Sequence, residues 1–256
     1  MKKVIKEMCK WIKDYTIKNN IDTLVVGVSG GIDSAVVSTL CAETGIKTIV
    51  LNMPINSKKE NTDLSIQHCS WLLEQYQNIE VRYVDLSESY CVFEKSMLEV
   101  NNLCKLSSAN SKSRLRMMSL YYTAGSENGI VVGTGNKVED FGVGFYTKYG
   151  DGGVDISPIA DLTKTQVRKL AKLLGVNSQI IEAPPTDGLW GDSRTDEEQI
   201  GATYEELELA MCFGDNTDFS ELTFRQQEVI GIYQSFHIRN KHKMLPIPVF
   251  ELKEEF

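Results

Sequence analysis

The chain is poor in several features that usually signal function. No two of its six cysteines (Cys9, Cys41, Cys69, Cys91, Cys104 and Cys212) form a CxxC pair, and 256 residues can bury a core without disulfide staples. They read as reduced thiols of a cytoplasmic protein. The three histidines, His68, His237 and His242, are scattered and make no zinc pattern. No run approaches the roughly 18 apolar residues of a membrane span, and the opening MKKVIKEMCKWIKDY has no apolar centre for a signal peptide. Basic charge is also lacking. A net charge of -8 and a pI near 5.1 argue against a protein that grips nucleic acid by its phosphates.

What is present is an alternation of strand and helix signals. Apolar, β-branched runs at 23–28, 47–53, 79–86 and 129–134 read as strands. Helical patterns cover about 34–44, 60–77, 87–100, 112–126, 163–175 and 221–236, with a loop and then a helix start over 183–207. The segment 142–153 reads as an ordered, glycine-rich loop, and HKMLPIPVF as a tail. Val4, Met8, Trp11, Ile12 and Tyr15 fall at helical spacing, so an amphipathic helix over 1–19 is expected to pack on the rest. The order predicts one α/β domain over 1–256, a doubly wound parallel sheet flanked by helices on both faces. In such sheets ligands sit beyond the carboxyl ends of the strands, where strand order reverses.

The first strand runs into such a place. LVVGVSGGIDSA (24–35) joins strand to helix through Ser29, Gly30 and Gly31 with almost no side-chain bulk. Successive N–H groups can then face one concavity at the positive end of a helix, and Ser29 and Ser34 add hydroxyls. No lysine follows the glycines, so this is not a Walker A loop, and the order is not GxGxxG. On these residues alone the turn either binds phosphate in another way or is a plain tight turn with a capping Asp33. A carboxylate beside phosphate needs a cation between them, and Mg²⁺ takes oxygen ligands of this kind. Asp33 therefore predicts a metal and a second acid from a neighbouring strand end. Glu139 reaches the same crevice if the fourth strand lies beside the first; alone, it would read as a solvated loop acid. Lys164, in the first turn of a helix, opposes the helix dipole by about 0.3–1 kcal/mol unless an anion sits there. A single lysine there more often extends into solvent.

SGGIDS resembles the pyrophosphate loop of the N-type ATP pyrophosphatases. With NSKSRLRM (110–117), GT and Glu139 five residues after Thr134, FYTKYGDGG (145–153), LTK (162–164), PTDGLW (185–190) and HK (242–243), in this order, the chain resembles ammonia-dependent NAD synthetases from about residue 20 to 250. The resemblance implies a Rossmann-like sheet of the adenine nucleotide alpha hydrolase type. It implies a ligase that adenylates the nicotinate carboxylate of deamido-NAD with ATP and Mg²⁺, then lets ammonia displace AMP. Carried over residue by residue, Gly27, Val28, Ser29, Gly30, Gly31, Ile32, Asp33, Ser34, Thr134, Lys164 and Thr186 would hold ATP. Asp33 and Glu139 would hold Mg²⁺, with Asp140 as the alternative to Glu139. Arg114, Lys148, Asp155, His242 and Lys243 would contact deamido-NAD. Asp33, Lys164 and Asp151 would be catalytic, Asp151 placing or deprotonating ammonia. Lys112, Arg114, Arg116, Lys148, Lys164 and Lys243 could supply local cations for two polyanionic substrates.

Two features depart from the pattern. Ile32 stands where many relatives have glutamine, and the stretch from Thr134 to Lys148 is one residue longer than in some. The broad apolar surface of the 112–126 helix, read alone, fits a helix buried within the monomer; the resemblance implies a homodimer through it. Glutamine-using relatives carry an amidase domain, and with the first strand only about 20 residues from the start, free ammonia is the expected donor. A tRNA-modifying pyrophosphatase is disfavoured by the charge, and a thiolating one by the missing CxxC. A pyrophosphatase with another acceptor remains an alternative. So does a non-catalytic nucleotide-binding module of the same fold, although it would not need Asp33, Glu139 and Lys164 together.

Overall fold

The computed structural model describes residues 1–56, 59–186, 194–213 and 219–252. Its centre is a four-stranded, all-parallel sheet: β1 (Thr23–Gly27), β2 (Lys47–Asn52), β3 (Ile79–Tyr83) and β4 (Gly129–Val131), in the order β3-β2-β1-β4. Val25 of β1 faces Ile49 of β2 and Val131 of β4 in register. The strands alternate between two apolar faces. Leu24, Val26 and Ile130 look one way, against α1 (Lys2–Lys18), α2 (Ile32–Glu43), α6 (Lys164–Leu174) and α7 (Ser178–Glu182). Val25, Ile49, Leu51 and Val131 look the other way, against α4 (Ser87–Leu98) and α5 (Lys105–Ser126). This is the period-2 pattern of strands buried on both sides. α3 (Lys59–Gln75) shares the α2 face, through Cys69 and Leu72. Ile32 is 7% exposed within the core, which accommodates the departure at that position.

Because α2 leaves β1 toward β2, while the connection to β4 returns over the other face, the sheet reverses direction between β1 and β4. The carboxyl ends of those two strands open there. Past them lies a second apolar cluster built by a π-helix (Lys137–Val143), α8 (Asp196–Ile200), α9 (Tyr204–Ala210) and α10 (Phe224–Met244). Gly144 ends the π-helix at φ 64°, and a Cβ there would fall 2.4 Å from Asn240 Cβ on α10. Only glycine meets both demands.

Several boundaries differ from the sequence reading. α5 starts at Lys105 rather than 112, its first two turns written in KLSSANS, whose serines and asparagine are poor helix formers. It is not buried within the monomer: Met118 is 59% and Tyr122 79% exposed. α10 runs to Met244, so His242 and Lys243 sit in its last turn, where cations suit the dipole, and not in the tail. The third and fourth strands stop at Tyr83 and Val131, and the start of the supposed 142–153 loop is the end of the π-helix. All six cysteines are free. Among the described residues no helix is long and apolar enough to cross a membrane.

Between α2 and α3, His68 is 2% exposed with Nε2 2.9 Å from Ser38 Oγ. The Ser38 hydroxyl donates to Ser34 O at 2.8 Å, so His68 donates through Nε2 as a neutral imidazole. Burial pushes its pKa down to about 4. The unfolded chain, with an ordinary histidine near 6.5, takes up the proton first. His68 therefore contributes stability above pH 6.5 that is lost as pH falls toward 4, up to about 3 kcal/mol. Urea unfolding of wild type and His68→Gln should show a difference that shrinks across that window; a pH-independent difference contradicts the assignment.

Candidate functional site

The turn after β1 is tied to itself. Val28 N donates to Leu51 O (2.9 Å), holding the end of β1 to β2. Gly30 has φ 90°, a left-handed conformation that favours glycine. Gly31 N donates to Ser29 Oγ at 3.2 Å, and Ser34 Oγ donates to Gly31 O at 2.9 Å. α2 then begins at Ile32 with no side-chain cap, which leaves its first-turn N–H groups without a capping side chain.

On the other wall, Asn136 is fully buried and caps the π-helix, its Oδ1 accepting from Val138 N and Glu139 N, both at 3.1 Å. The π-helix carries Glu139 to the same ammonium that Asp33 meets. Lys164, in the first turn of α6, reaches between the two acids. Its Nζ lies 2.6 Å from Asp33 Oδ2 and 2.8 Å from Glu139 Oε1, and the residue is 3% exposed. The Asn136 amide lies 3.5 Å from Asp33 Oδ1. Tyr204 of α9 donates its hydroxyl to Glu139 Oε1 at 2.6 Å, and Lys164 Nζ lies 4.8 Å from its ring centroid. The anion that Lys164 was expected to meet is thus a pair of carboxylates.

The electrostatics follow from this burial. Desolvation works against the Lys164 ammonium, but Asp33 and Glu139 more than offset it and hold its pKa above the usual lysine range. Burial alone would raise Glu139; the charge and hydrogen bond of Lys164, then Tyr204 and Asn136, hold it below the usual carboxylate range. Burial pushes Asp33 up, with Lys164 pulling down and Glu139 adding repulsion. Asp140 has no such cation; burial, then repulsion from Glu139, Asp151 and Asp33, pushes it up to about 8. Glu139, not Asp140, is the acid that shares a cation with Asp33.

A second group forms around the loop after the π-helix. Arg114 Nε donates to Lys148 O (3.3 Å), Lys148 Nζ to His242 O (3.1 Å), and Lys243 Nζ to Gly144 O and Tyr146 O, both at 2.8 Å. Three of the five residues expected at a dinucleotide are therefore linked by hydrogen bonds, and Lys243 follows His242 on α10. The fifth, Asp155, is tied to β4 and α5 through Val131 N (2.8 Å) and the Tyr121 hydroxyl (3.0 Å). Asp151 stands between the groups: its Oδ1 accepts from Ser113 Oγ (2.7 Å) and Thr147 N (3.0 Å), and its charge is felt at Asp140, Arg116 and Lys243. Arg116 donates to Met53 O at the end of β2, whereas Lys112 turns away to α4, 5.3 Å from the Tyr90 ring centroid. Thr134 is half-buried just past β4. Thr186 is exposed, its hydroxyl 3.3 Å from Arg194 O; residues 187–190 of PTDGLW lie outside the described residues.

Sequence reasoning missed Asn136, Ser113 and Tyr204. Asn136 had a signal, an Asx residue immediately before a helix-opening KVED. Tyr204 had none, because its role depends on α9 packing against the π-helix. Among the described residues no three His, Cys, Asp or Glu side chains form a set that could hold a metal alone. Two acids can do so if a ligand supplies the remaining oxygens.

A doubly wound parallel sheet whose switch point carries a glycine-serine turn and an acid pair defines a nucleotide-binding α/β protein. Residues 4–246 match the model of the NAD synthase family. The chain is 38% identical over 243 residues to the NH(3)-dependent NAD(+) synthetase of Finegoldia magna, covering 93% of each. It is 37% identical over 259 residues to that of Methanocaldococcus jannaschii, covering 98% of each. Among solved structures it is similar to the NMN synthetase of Francisella tularensis, with 31% identity, a TM-score of 0.83, and coverage of 100% of this chain and 98% of that one. It is also similar to the NH3-dependent NAD synthetase of Campylobacter jejuni, determined in complex with the nitrate ion, with 28% identity, a TM-score of 0.78, and coverage of 98% and 99%. The chain belongs to the NAD synthase family.

Breaking the buried ion triad from one side leaves an uncompensated charge. Lys164→Met should destabilise the metal-free protein by about 3–5 kcal/mol in urea unfolding. Adding Asp33→Asn should recover part of that loss. No loss in the single variant would contradict the geometry.

Proposed function

We infer that this chain is an amide-forming ligase that makes NAD from deamido-NAD, ATP and ammonia, releasing AMP and pyrophosphate. The observation that carries the reading is the shared cation: two acids, one from the first turn of α2 after β1 and one from the π-helix after β4, converge on one ammonium beside a glycine-serine turn. A switch point of a parallel sheet is where nucleotides bind, and acids there that accept a shared cation can tolerate a phosphate tail once a metal joins them.

The acid pair fits Mg²⁺. Its donor set is two carboxylate side chains, 16% and 17% exposed, that already share a cationic partner. Asp33 and Glu139 would hold the ion, and a bound Mg²⁺ would supply charge neutralisation to the leaving pyrophosphate. The turn from Gly27 to Ser34 and the N-terminus of α2 cradle the phosphates, with Thr134 and Thr186 at the nucleotide and Lys164 adding positive charge. Arg114, Lys148, His242 and Lys243 bind deamido-NAD, and Asp155 borders it. Its nicotinate carboxylate attacks the α-phosphorus, pyrophosphate leaves, and ammonia displaces AMP from the acyl carbon. Asp151, held by Ser113 and Thr147 N, orients ammonia and takes the proton that its nitrogen sheds.

Residues 1–256 act in this reading as one domain with α1 packed on it, working in the cytoplasm. Two copies associate through α5, with α4 beside it; the two helices expose Phe93, Met97, Leu98, Leu106, Met118 and Tyr122, side chains suited to an interface. The similarity to an NMN synthetase supports a second reading, the same amidation with a mononucleotide acceptor.

Purified protein with ATP, Mg²⁺ and ammonium should form NAD, AMP and pyrophosphate from deamido-NAD. The parallel reaction with nicotinate mononucleotide should be at least tenfold slower in kcat/KM; the reverse ranking would favour the second reading. Asp33→Asn should abolish AMP formation and stay folded. Near wild-type turnover in that variant would remove Asp33 from the metal.

A further inference from the structure

Tyr204 makes a contact that the reaction as described does not use. Its side chain is fully buried, in a cluster otherwise formed by apolar residues of the π-helix and α8 to α10. Its hydroxyl nevertheless leaves that cluster and ends 2.6 Å from Glu139 Oε1. This is the same oxygen that Lys164 Nζ approaches at 2.8 Å. The ring lies beside that ammonium, 4.8 Å from Nζ to the centroid. One side chain therefore touches both the acid and the cation of the triad, and α9 brings it there from 65 residues further along the chain.

A glutamate has three side-chain torsions, and Glu139 lies in the first turn of a short π-helix. Fixing its carboxylate requires donors on one oxygen, so that the group cannot swing about its last bond. Asn136 fixes the backbone beneath it, at Val138 N and Glu139 N. Lys164 cannot fix the head alone, because its Nζ is shared with Asp33 and stands between the two acids. A phenol on a rigid, fully buried ring is, with the buried Asn136 amide, a donor that no nucleotide or ion has reason to displace. Asp196 Oδ2, at 3.4 Å, is the more distant of its two acceptors, so the bond to Glu139 dominates.

We propose that Tyr204 is a positioning residue for the metal: its hydroxyl pins Glu139 Oε1, and its ring flanks Lys164, so that the acid pair keeps its geometry when Lys164 yields its place to the ion. This rests on the reading of Asp33 and Glu139 as the Mg²⁺ pair. Tyr204 touches no substrate and transfers no proton.

The test titrates Mn²⁺ into the full-length protein with a non-hydrolysable ATP analogue bound, following free Mn²⁺ by electron paramagnetic resonance. Wild type, Tyr204→Phe and Glu139→Gln are compared, with near-ultraviolet circular dichroism as the folding control. Tyr204→Phe keeps the ring and should weaken Mn²⁺ binding about fivefold to twentyfold. It should raise the Mg²⁺ concentration for half-maximal turnover by a similar factor and leave kcat at saturating Mg²⁺ within about twofold. A structural role alone would move stability without this split. Weakened binding in Glu139→Gln with wild-type binding in Tyr204→Phe overturns the Tyr204 inference and leaves the metal reading standing. Unchanged binding in Glu139→Gln overturns the metal reading itself. If Tyr204→Phe does not fold, 3,5-difluorotyrosine at position 204 preserves the shape and sharpens the donor; altered Mn²⁺ affinity then supports the proposal, and unaltered affinity overturns it.

Discussion

A lysine ammonium buried between two carboxylates is the constraint around which the rest of this protein is arranged. Removing Lys164 from water is unfavourable unless anions accompany it, and bringing Asp33 and Glu139 together is unfavourable unless a cation separates them. Each group makes the others tolerable. The three come from β1's exit turn, the π-helix and the first turn of α6, so the triad forms only when the sheet order, the π-helix and the α2–α6 packing are all in place.

The two sides of the triad are supported differently. Asp33 is placed by local chemistry, through a serine-laced turn and a glycine in left-handed geometry that both lie within five residues of it. Glu139 is placed by tertiary packing. Its helix is capped by Asn136, closed by Gly144 against α10, and braced by Tyr204 from α9. The helical cluster beyond the sheet therefore serves the site twice. It buries its own apolar side chains, and it holds one wall of the opening.

This difference explains what could be read from the sequence. β1 and the turn after it were legible in LVVGVSGGIDSA, because local backbone demands leave local signatures; Asp33 was read there as needing a metal, and the cation beside it is Lys164. The pairing with Glu139 required β4 to lie beside β1, which the sheet order supplies. The five-residue hydrogen-bond spacing of a π-helix produces no readable period, so 137–143 was not anticipated as one. Lys164 was expected to face an external anion; its partners are acids 131 and 25 residues away, a separation that no pattern within α6 can reveal. Asp140, the alternative to Glu139 on sequence grounds, is set apart by what each side chain meets: Lys164 and Tyr204 bond Glu139, and repelling carboxylates surround Asp140.

The central claim is tested most directly by diffraction from crystals grown with Mn²⁺ and a non-hydrolysable ATP analogue. The account predicts an anomalous peak about 2.0–2.3 Å from carboxylate oxygens of both Asp33 and Glu139, with Lys164 Nζ moved off one or both acids toward the phosphates. A peak bound elsewhere on the triphosphate, with Lys164 still seated between the two carboxylates, would contradict it.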